Sequence, residues 1–186
     1  GLKSVGESEE KPDLYMNNNV GSTRNLLENM NSETFFIFSS SATVYGNNPN
    51  QPLTEASSVE ATSVYGQSKI ECENLIKDYA FNKGVKSVCL RYFNPVGSHQ
   101  EFIVVEDYLN QPNNLMPKLI ECVKNGKNTI NVYGNDYETR DGTGERDYIH
   151  IIDLVEGHIA AMDKVQKIQN IDFFNLGTGQ STSVVE

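Results

Sequence analysis

The stretch from Phe36 to Lys69 does most to limit what this chain can fold into. Phe36-Ile37-Phe38 is apolar at consecutive positions and breaks off in Ser39-Ser40-Ser41. A strand buried on both faces of a parallel sheet reads this way, whereas a strand with one solvated face alternates. That strand is expected over residues 34–39. A polar loop rich in Asn, Pro and Gly follows over 46–62. A helix is expected from residue 64 to about 82, ended by Gly84, and Ser87–Tyr92 reads as a second strand centred on Val88-Cys89-Leu90. Strand, helix and strand of these lengths make a βαβ unit, which calls for a parallel sheet and a right-handed crossover.

Tyr65 and Lys69 lie four residues apart at the start of that helix, so their side chains share one face. The serines at the strand end are expected to face them. A phenol ionises at about pH 10, which makes it a poor base at neutrality. An ammonium one helical turn away favours the phenolate and lowers that value. A serine hydroxyl at the strand end can then pass a proton between a substrate and Tyr65. Such a set suits removal of a proton from a sugar or alcohol hydroxyl while a hydride leaves the carbon. Tyr-x-x-x-Lys alone is equally a solvated surface pair. The preceding Ser39-Ser40-Ser41-Ala42-Thr43-Val44-Tyr45-Gly46, in a consistent order of strand, serine, loop, Tyr and Lys, gives the pattern its weight.

Elsewhere the pattern is plainer. Residues 1–10 read as a loop. Pro12 can open a helix running to Met30, interrupted by Asn17-Asn18-Asn19, which are poor helix formers. Pro95 and Gly97 stop the second strand. Residues 99–112 carry no regular pattern. A helix over 114–125 is expected to turn Leu115, Leu119, Ile120 and Val123 inward. A short strand is expected over 130–133, a Gly-rich charged loop over 135–145 and an extended segment over 146–151. Asp153 reads as the N-cap of a helix to about residue 165, and 173–176 is a last strand before the turn Gly177-Thr178-Gly179.

The 186 residues carry a formal net charge of −10, which argues against nucleic acid as a partner. No window approaches the roughly 18 consecutive apolar residues of a membrane span, so no membrane partner is expected. Cys72, Cys89 and Cys122 share no metal-type spacing, and reduced thiols in a cytoplasmic protein are the reading. His99, His150 and His158 match no compact metal motif, and no metal is expected. A Gly-rich turn of the G-x-G-x-x-G kind, the mark of a dinucleotide-binding first strand, is absent from these residues.

With those residues in view, the chain resembles the extended short-chain dehydrogenase/reductase family, and within it the UDP-sugar 4-epimerases. The resemblance covers essentially the whole chain. It rests on Gly1-Leu2-Lys3-Ser4-Val5-Gly6-Glu7-Ser8, on 39–46, 65–69, 91–97, 112–117 and 134–137, on Asp141-Gly142-Thr143-Gly144, and on Arg146-Asp147-Tyr148-Ile149-His150. Several blocks in the family's order are more specific than any one motif. The implied fold is α/β: the later part of a Rossmann-like, doubly wound parallel sheet over 1–95 and about 146–165, with part of a smaller α/β substrate domain over 96–145 and 166–186. The first strands and the Gly-rich turn would then lie outside this chain, an interior fragment inactive by itself.

The resemblance implies NAD as cofactor and UDP-glucose and UDP-galactose as substrates, interconverted by oxidation and re-reduction at carbon 4 of the sugar. Tyr65 would be the base, Lys69 its electrostatic tuner, and Ser41 the proton relay with Thr43 beside it on the sugar. Gly1, Leu2, Lys3 and Asn18 would line the cofactor, together with Ser41, Tyr65 and Lys69, while Tyr92 and Phe93 bound the nicotinamide. Asn94, Asn114, Leu115, Asn131, Val132, Tyr133 and Arg146 would hold the nucleotide sugar, with the guanidinium fork of Arg146 on the diphosphate. Ala42 sits where dehydratases of the family carry a carboxylate, so simple epimerisation is favoured over water elimination. Segment 101–108 departs from the family's small Gly-containing loop. A homodimer is implied for the full-length protein. The alternatives are a non-catalytic sensor or scaffold of the same fold and a 4-epimerase of another UDP-sugar.

Overall fold

A computed structural model describes residues 1–31, 33–101, 114–126 and 129–186. In chain order the helices are α1 (Val5–Glu10), α2 (Pro12–Tyr15), α3 (Gly21–Glu28), α4 (Val64–Lys83), α5 (Leu115–Lys124) and α6 (Ile151–Lys164). The strands are β1 (Phe36–Ser41), β2 (Ser87–Tyr92), β3 (Asn94–Val96), β4 (Glu145–His150), β5 (Ile171–Leu176) and β6 (Ser181–Ser183). Two compact units result: Gly1–Phe93 with Glu156–Leu176, and Asn94–Val155 with Gly177–Glu186.

The first unit is built on a parallel sheet in the order β1-β2-β5. Ser41 pairs with Tyr92 and Arg91 with Asn175, so the three strands end at one level. The central strand β2 is buried almost throughout, which accounts for its unbroken apolar run. Val88 and Leu90 face Ala161 of α6 and Ile168, with Phe35, Ile37 and Phe174 packed around them. Cys89 faces Ile76 of α4 and Leu27 of α3, with Phe36, Phe38 and Phe173. Helices therefore cover both faces of a parallel sheet, the Rossmann-like doubly wound arrangement expected from the sequence. The strand β1 starts two residues later than expected and takes in all three serines, because backbone pairing with β2 continues through Ser41.

Two local features differ from expectation. Residues 5–10 are helix, not loop: the Ser4 hydroxyl accepts from the Glu7 N–H at 3.3 Å and so caps α1. The Ser4-x-x-Glu7 spacing is that of a capping box. The asparagine run does not merely weaken a helix but forms a π-helical turn, Met16–Val20, between α2 and α3. Such turns widen the helix by one residue and can swing one side chain inward; here Asn19 is the buried one. Helix α4 follows expectation closely, capped by the Ser63 hydroxyl on the Gly66 N–H at 3.1 Å and ended by Gly84 in the left-handed region.

In the second unit β3 runs parallel to β4, and β6 runs antiparallel to it. Pro95 does not end the chain's extended course. It sits in the edge strand β3, where its missing N–H costs no ladder bond. No strand forms over 130–133, although Ile130-Asn131-Val132-Tyr133 alternates, and Tyr133 is 78% exposed. Helix α5 leaves Ile120 and Val123 exposed rather than inward; helical spacing says which residues share a face but not what covers it. Asp153 lies in the first turn of α6, not at its cap. The segment 166–176 completes the first unit through β5, and 146–155 belongs to the second through β4, where the sequence expectation divided the chain at 146 and 166. Strand partners as distant in sequence as Ser87 and Ile171 leave no local mark. Residues 102–113, which take in most of the segment 99–112 expected to be irregular, lie outside the described residues.

Candidate active site

The carboxyl ends of parallel strands are where an open α/β sheet presents its ligand crevice, and the serines of β1 stand there. Ser41 closes β1 and caps the 3-10 turn Ala42–Tyr45, its hydroxyl accepting from the Thr43 N–H at 3.3 Å and the Thr43 hydroxyl at 3.0 Å. The same hydroxyl lies near the Tyr65 phenol and favours its ionised form. Lys69 is one turn further along α4. Its ammonium donates to the Ser39 carbonyl at 2.8 Å and stands 4.7 Å from the Phe38 ring centroid and 5.7 Å from that of Tyr65. Tyr92, opposite Ser41 in register, donates to the Ser39 hydroxyl at 2.8 Å and hydrogen-bonds His158 of α6. Ser41, Thr43, Tyr65, Lys69 and Tyr92 thus form one cluster.

Its electrostatics differ from the simple expectation. Burial pushes the Tyr65 phenol above its usual value, with Ser41 countering part of the rise. Burial pushes Lys69 down. The Lys69 ammonium bonds the Ser39 carbonyl and lies by the Tyr65 ring, and desolvation is the largest influence on the phenol. In this state Tyr65 is a neutral proton carrier and Lys69 an ammonium that burial makes readier to lose its proton.

Beneath the cluster lies a buried ion pair that the sequence reading did not single out. Arg91 of β2 makes two hydrogen bonds to the Glu73 carboxylate of α4, at 3.0 and 2.7 Å, with both side chains only 6% exposed. The Ser40 hydroxyl donates to Glu73 at 2.6 Å, and Arg91 donates to the Tyr45 hydroxyl at 2.9 Å. Tyr45 in turn donates to Asn175 of β5 at 2.6 Å. Burial works against the charge on Arg91, but its hydrogen bonds to Glu73 prevail and hold the guanidinium above its usual pKa. Glu73 lies four residues beyond Lys69, a spacing that could have flagged it.

At the amino end, Asn19 rather than Asn18 is the buried asparagine. Its side-chain carbonyl accepts from the Leu2 N–H at 2.7 Å, and its amide donates to the Leu2 carbonyl at 3.0 Å and the Ser68 hydroxyl at 3.1 Å. Ser68 donates to the Tyr65 carbonyl at 2.7 Å. Gly1-Leu2-Lys3 is thereby tied to α4 next to Tyr65. Asn18 is exposed on the π-helical turn, Gly1 and Lys3 are exposed, and Phe93 is half-buried with its N–H on the Leu176 carbonyl.

In the second unit Asn94 donates to the Asp147 carbonyl at 2.9 Å. Arg146 is exposed on β4 with one guanidinium nitrogen on the Glu145 carbonyl at 2.7 Å. Asn114 precedes α5 and Leu115 opens it. Asn131, Val132 and Tyr133 are exposed. No hydrogen bond or ion pair among the described residues joins these last five to Arg146. Cys72 and Cys89 are buried free thiols and Cys122 a half-buried one.

Known proteins share this arrangement along the whole chain. UDP-glucose 4-epimerase 2 of Arabidopsis thaliana is 47% identical over 190 residues, covering 100% of this chain and 54% of that protein. UDP-glucose 4-epimerase of Bos taurus is 46% identical, covering 100% of this chain and 55% of its own. The crystal structure of UDP-glucose 4-epimerase from Bifidobacterium longum in complex with NAD+ and UDP superposes with a TM-score of 0.91 at 44% identity, over 100% of this chain and 56% of that one. The chain spans about half the length of the curated relatives it matches. Residues 1–177 match the model of the NAD dependent epimerase/dehydratase family, to which this chain belongs.

Proposed function

We propose that the whole protein interconverts UDP-glucose and UDP-galactose, acting as an NAD-dependent UDP-sugar 4-epimerase. The observation that carries the reading is the cluster in which Ser41 stands beside the Tyr65 phenol with Lys69 one turn along the same helix. Relatives named UDP-glucose 4-epimerase at 46–47% identity supply the substrate class. The first unit is assigned to the cofactor and the second to the nucleotide sugar. In the wider protein the enzyme is taken to be a cytoplasmic homodimer; no helix among the described residues is long and apolar enough to cross a membrane.

The donor set fits the ring and ribose end of NAD: an ammonium, a phenol and a serine hydroxyl gathered at the carboxyl ends of parallel strands, with Tyr92 alongside. NAD, held by Lys69, Tyr65 and Ser41, would supply a reversible hydride acceptor for carbon 4 of the sugar. Tyr65, as the phenolate that Lys69 would stabilise, takes the proton of the 4-hydroxyl through Ser41 and later gives it back; with the hydride also returned, no net oxidation occurs. Lys69 is placed to hold a ribose hydroxyl and to stabilise the phenolate. Its partner, the Ser39 carbonyl, is a group it can exchange for that hydroxyl. Thr43 holds Ser41 in place and contacts the sugar. Gly1, Leu2, Lys3, Asn18 and Phe93 are assigned to the cofactor, and Asn94, Asn114, Leu115, Asn131, Val132, Tyr133 and Arg146 to the UDP-sugar.

The test is Tyr65→Phe in the full-length protein. Loss of one positioned acid–base group costs about 100- to 10,000-fold in turnover. Epimerisation of UDP-galactose is expected to fall by that order while NAD stays bound by absorbance. Undiminished turnover would remove Tyr65 from its role.

A further inference from the structure

We infer that the buried Glu73–Arg91 pair is a positioning device for the proton-handling cluster, so that its integrity sets turnover separately from stability. The inference rests on the reading proposed above. One carboxylate and one guanidinium touch every segment that carries a cluster residue. Glu73 shares the face of α4 with Lys69 and Tyr65, four and eight residues back. Its Oε1 accepts from Ser40, the residue immediately before Ser41. Arg91 pairs across the sheet with Ser40 and immediately precedes Tyr92. Through its Nη1 it also holds Tyr45, whose 3-10 turn carries Thr43.

Segment 41–44 is therefore clamped at both ends, at Ser40 and at Tyr45, by groups bonded to the same ion pair. The helix bearing Tyr65 and Lys69 is fixed to that clamp through Glu73. Asn175 extends the clamp to β5, accepting from Tyr45 and donating to the Leu53 carbonyl at 3.2 Å, while Glu55 accepts from the Asn175 N–H at 2.8 Å. The Arg91 guanidinium also stands 5.0 Å from the Tyr45 ring centroid and 4.8 Å from that of Phe173, so its orientation is restricted by packing as well as by hydrogen bonds. Burial depresses Lys69, and Glu73 is among the charges that oppose that fall, which gives the carboxylate an electrostatic as well as a geometric reach.

A pair kept only for stability should be replaceable. Apolar side chains of similar volume often substitute for a buried ion pair without loss of stability, whereas removing one partner leaves an uncompensated charge. A pair kept for geometry should not be replaceable, since a misplacement of about 1 Å at the chemistry can cost 100-fold in rate. Neither Glu73 nor Arg91 is placed to touch a substrate, so a geometric role should appear in kcat and not in KM.

The experiment uses the full-length protein, with UDP-galactose as substrate and thermal unfolding measured in parallel. The triple variant Ser40→Ala, Glu73→Leu, Arg91→Met removes the charges and the hydroxyl that would be orphaned. It is expected to unfold near the parent's temperature, to keep KM within about twofold, and to lose about 10- to 100-fold in kcat. Ser40→Ala alone, which leaves the ion pair intact, is expected to fold normally and lose several-fold in kcat, and it keeps the inference testable if the triple variant does not fold. Parent kcat in a folded triple variant, or in Ser40→Ala, overturns the positioning role. Arg91→Lys keeps the charge without the two-pronged geometry, and kcat well below the parent's at unchanged KM is expected. Tyr65→Phe runs alongside: a parent protein without epimerase activity defeats the function itself, whereas an active parent, an inactive Tyr65→Phe and a fully active triple variant defeat only the inference.

Discussion

Gly66 follows Tyr65 and sits in the first turn of α4. A Cβ there would come within 2.9 Å of the Thr43 carbonyl and 2.8 Å of the Ala61 Cβ. The bare backbone is what lets the helix carrying Tyr65 lie against the turn carrying Thr43. Gly66→Ala sets two effects against each other. Helix propensity favours Ala by about 1 kcal/mol, but overpacking against a backbone carbonyl costs about 1–3 kcal/mol. The carbonyl belongs to a turn held at Ser41 and Tyr45 and cannot yield freely, so the clash should win. Gly66→Ala is expected to lower the urea midpoint and to reduce kcat in the full-length protein. A higher midpoint would mean that the helix has room to spare. Tyr65, Lys69 and Ser41 were legible in the sequence because strand end and helix start announce themselves by hydropathy. Asn19 was not, although it ties down Leu2, because three adjacent asparagines look alike until the π-helical turn selects one of them.

Elements whose cues are local were read well, and those defined by distant partners were not. The strand β2 and the helix α4 carry their whole signal within their own residues. Strand β6 consists of Ser181-Thr182-Ser183 and exists only because it pairs with β4. The loop ahead of β4 is tied to β6 by Asp141, which accepts from the Thr143 N–H at 2.8 Å, the Thr143 hydroxyl at 2.7 Å and the Ser183 hydroxyl. The Ser183 bond foremost, and then those from Thr143, hold the Asp141 carboxyl below its ordinary value. A folded-state pKa below the unfolded one contributes stability that is present above the ordinary carboxylate range. It is lost as pH falls through the folded value. Stability is therefore expected to decline on acidification below about pH 4, and Asp141→Asn, which cannot titrate, should flatten that part of the curve. Denaturant midpoints at a series of pH values measure it. An unchanged slope would leave the acid sensitivity to Glu7 and Glu145, which are likewise held low by their hydrogen bonds to Lys11 and Arg140.

At the scale of the whole chain, surfaces left without partners decide behaviour. Among the described residues β1 has a strand neighbour on one side only. Its Phe36, Ile37 and Phe38 are half-buried, Ile159 and Met162 of α6 are 54% and 58% exposed, and Val123 of α5 is 81% exposed. An apolar strand edge with free backbone groups invites pairing with another chain. Against this stands a net charge of −10, whose repulsion keeps copies apart at low salt. The two effects separate by ionic strength. Raising salt from about 0.1 to 1 M shortens the screening length from about 10 to 3 Å, which weakens repulsion but not apolar pairing. The polypeptide of residues 1–186 expressed alone is therefore expected to associate more as salt rises, by sedimentation velocity, and to epimerise no UDP-galactose. Association that falls with salt would point to complementary charges instead of the β1 edge, and turnover by the monomer would show that these residues suffice for cofactor and substrate.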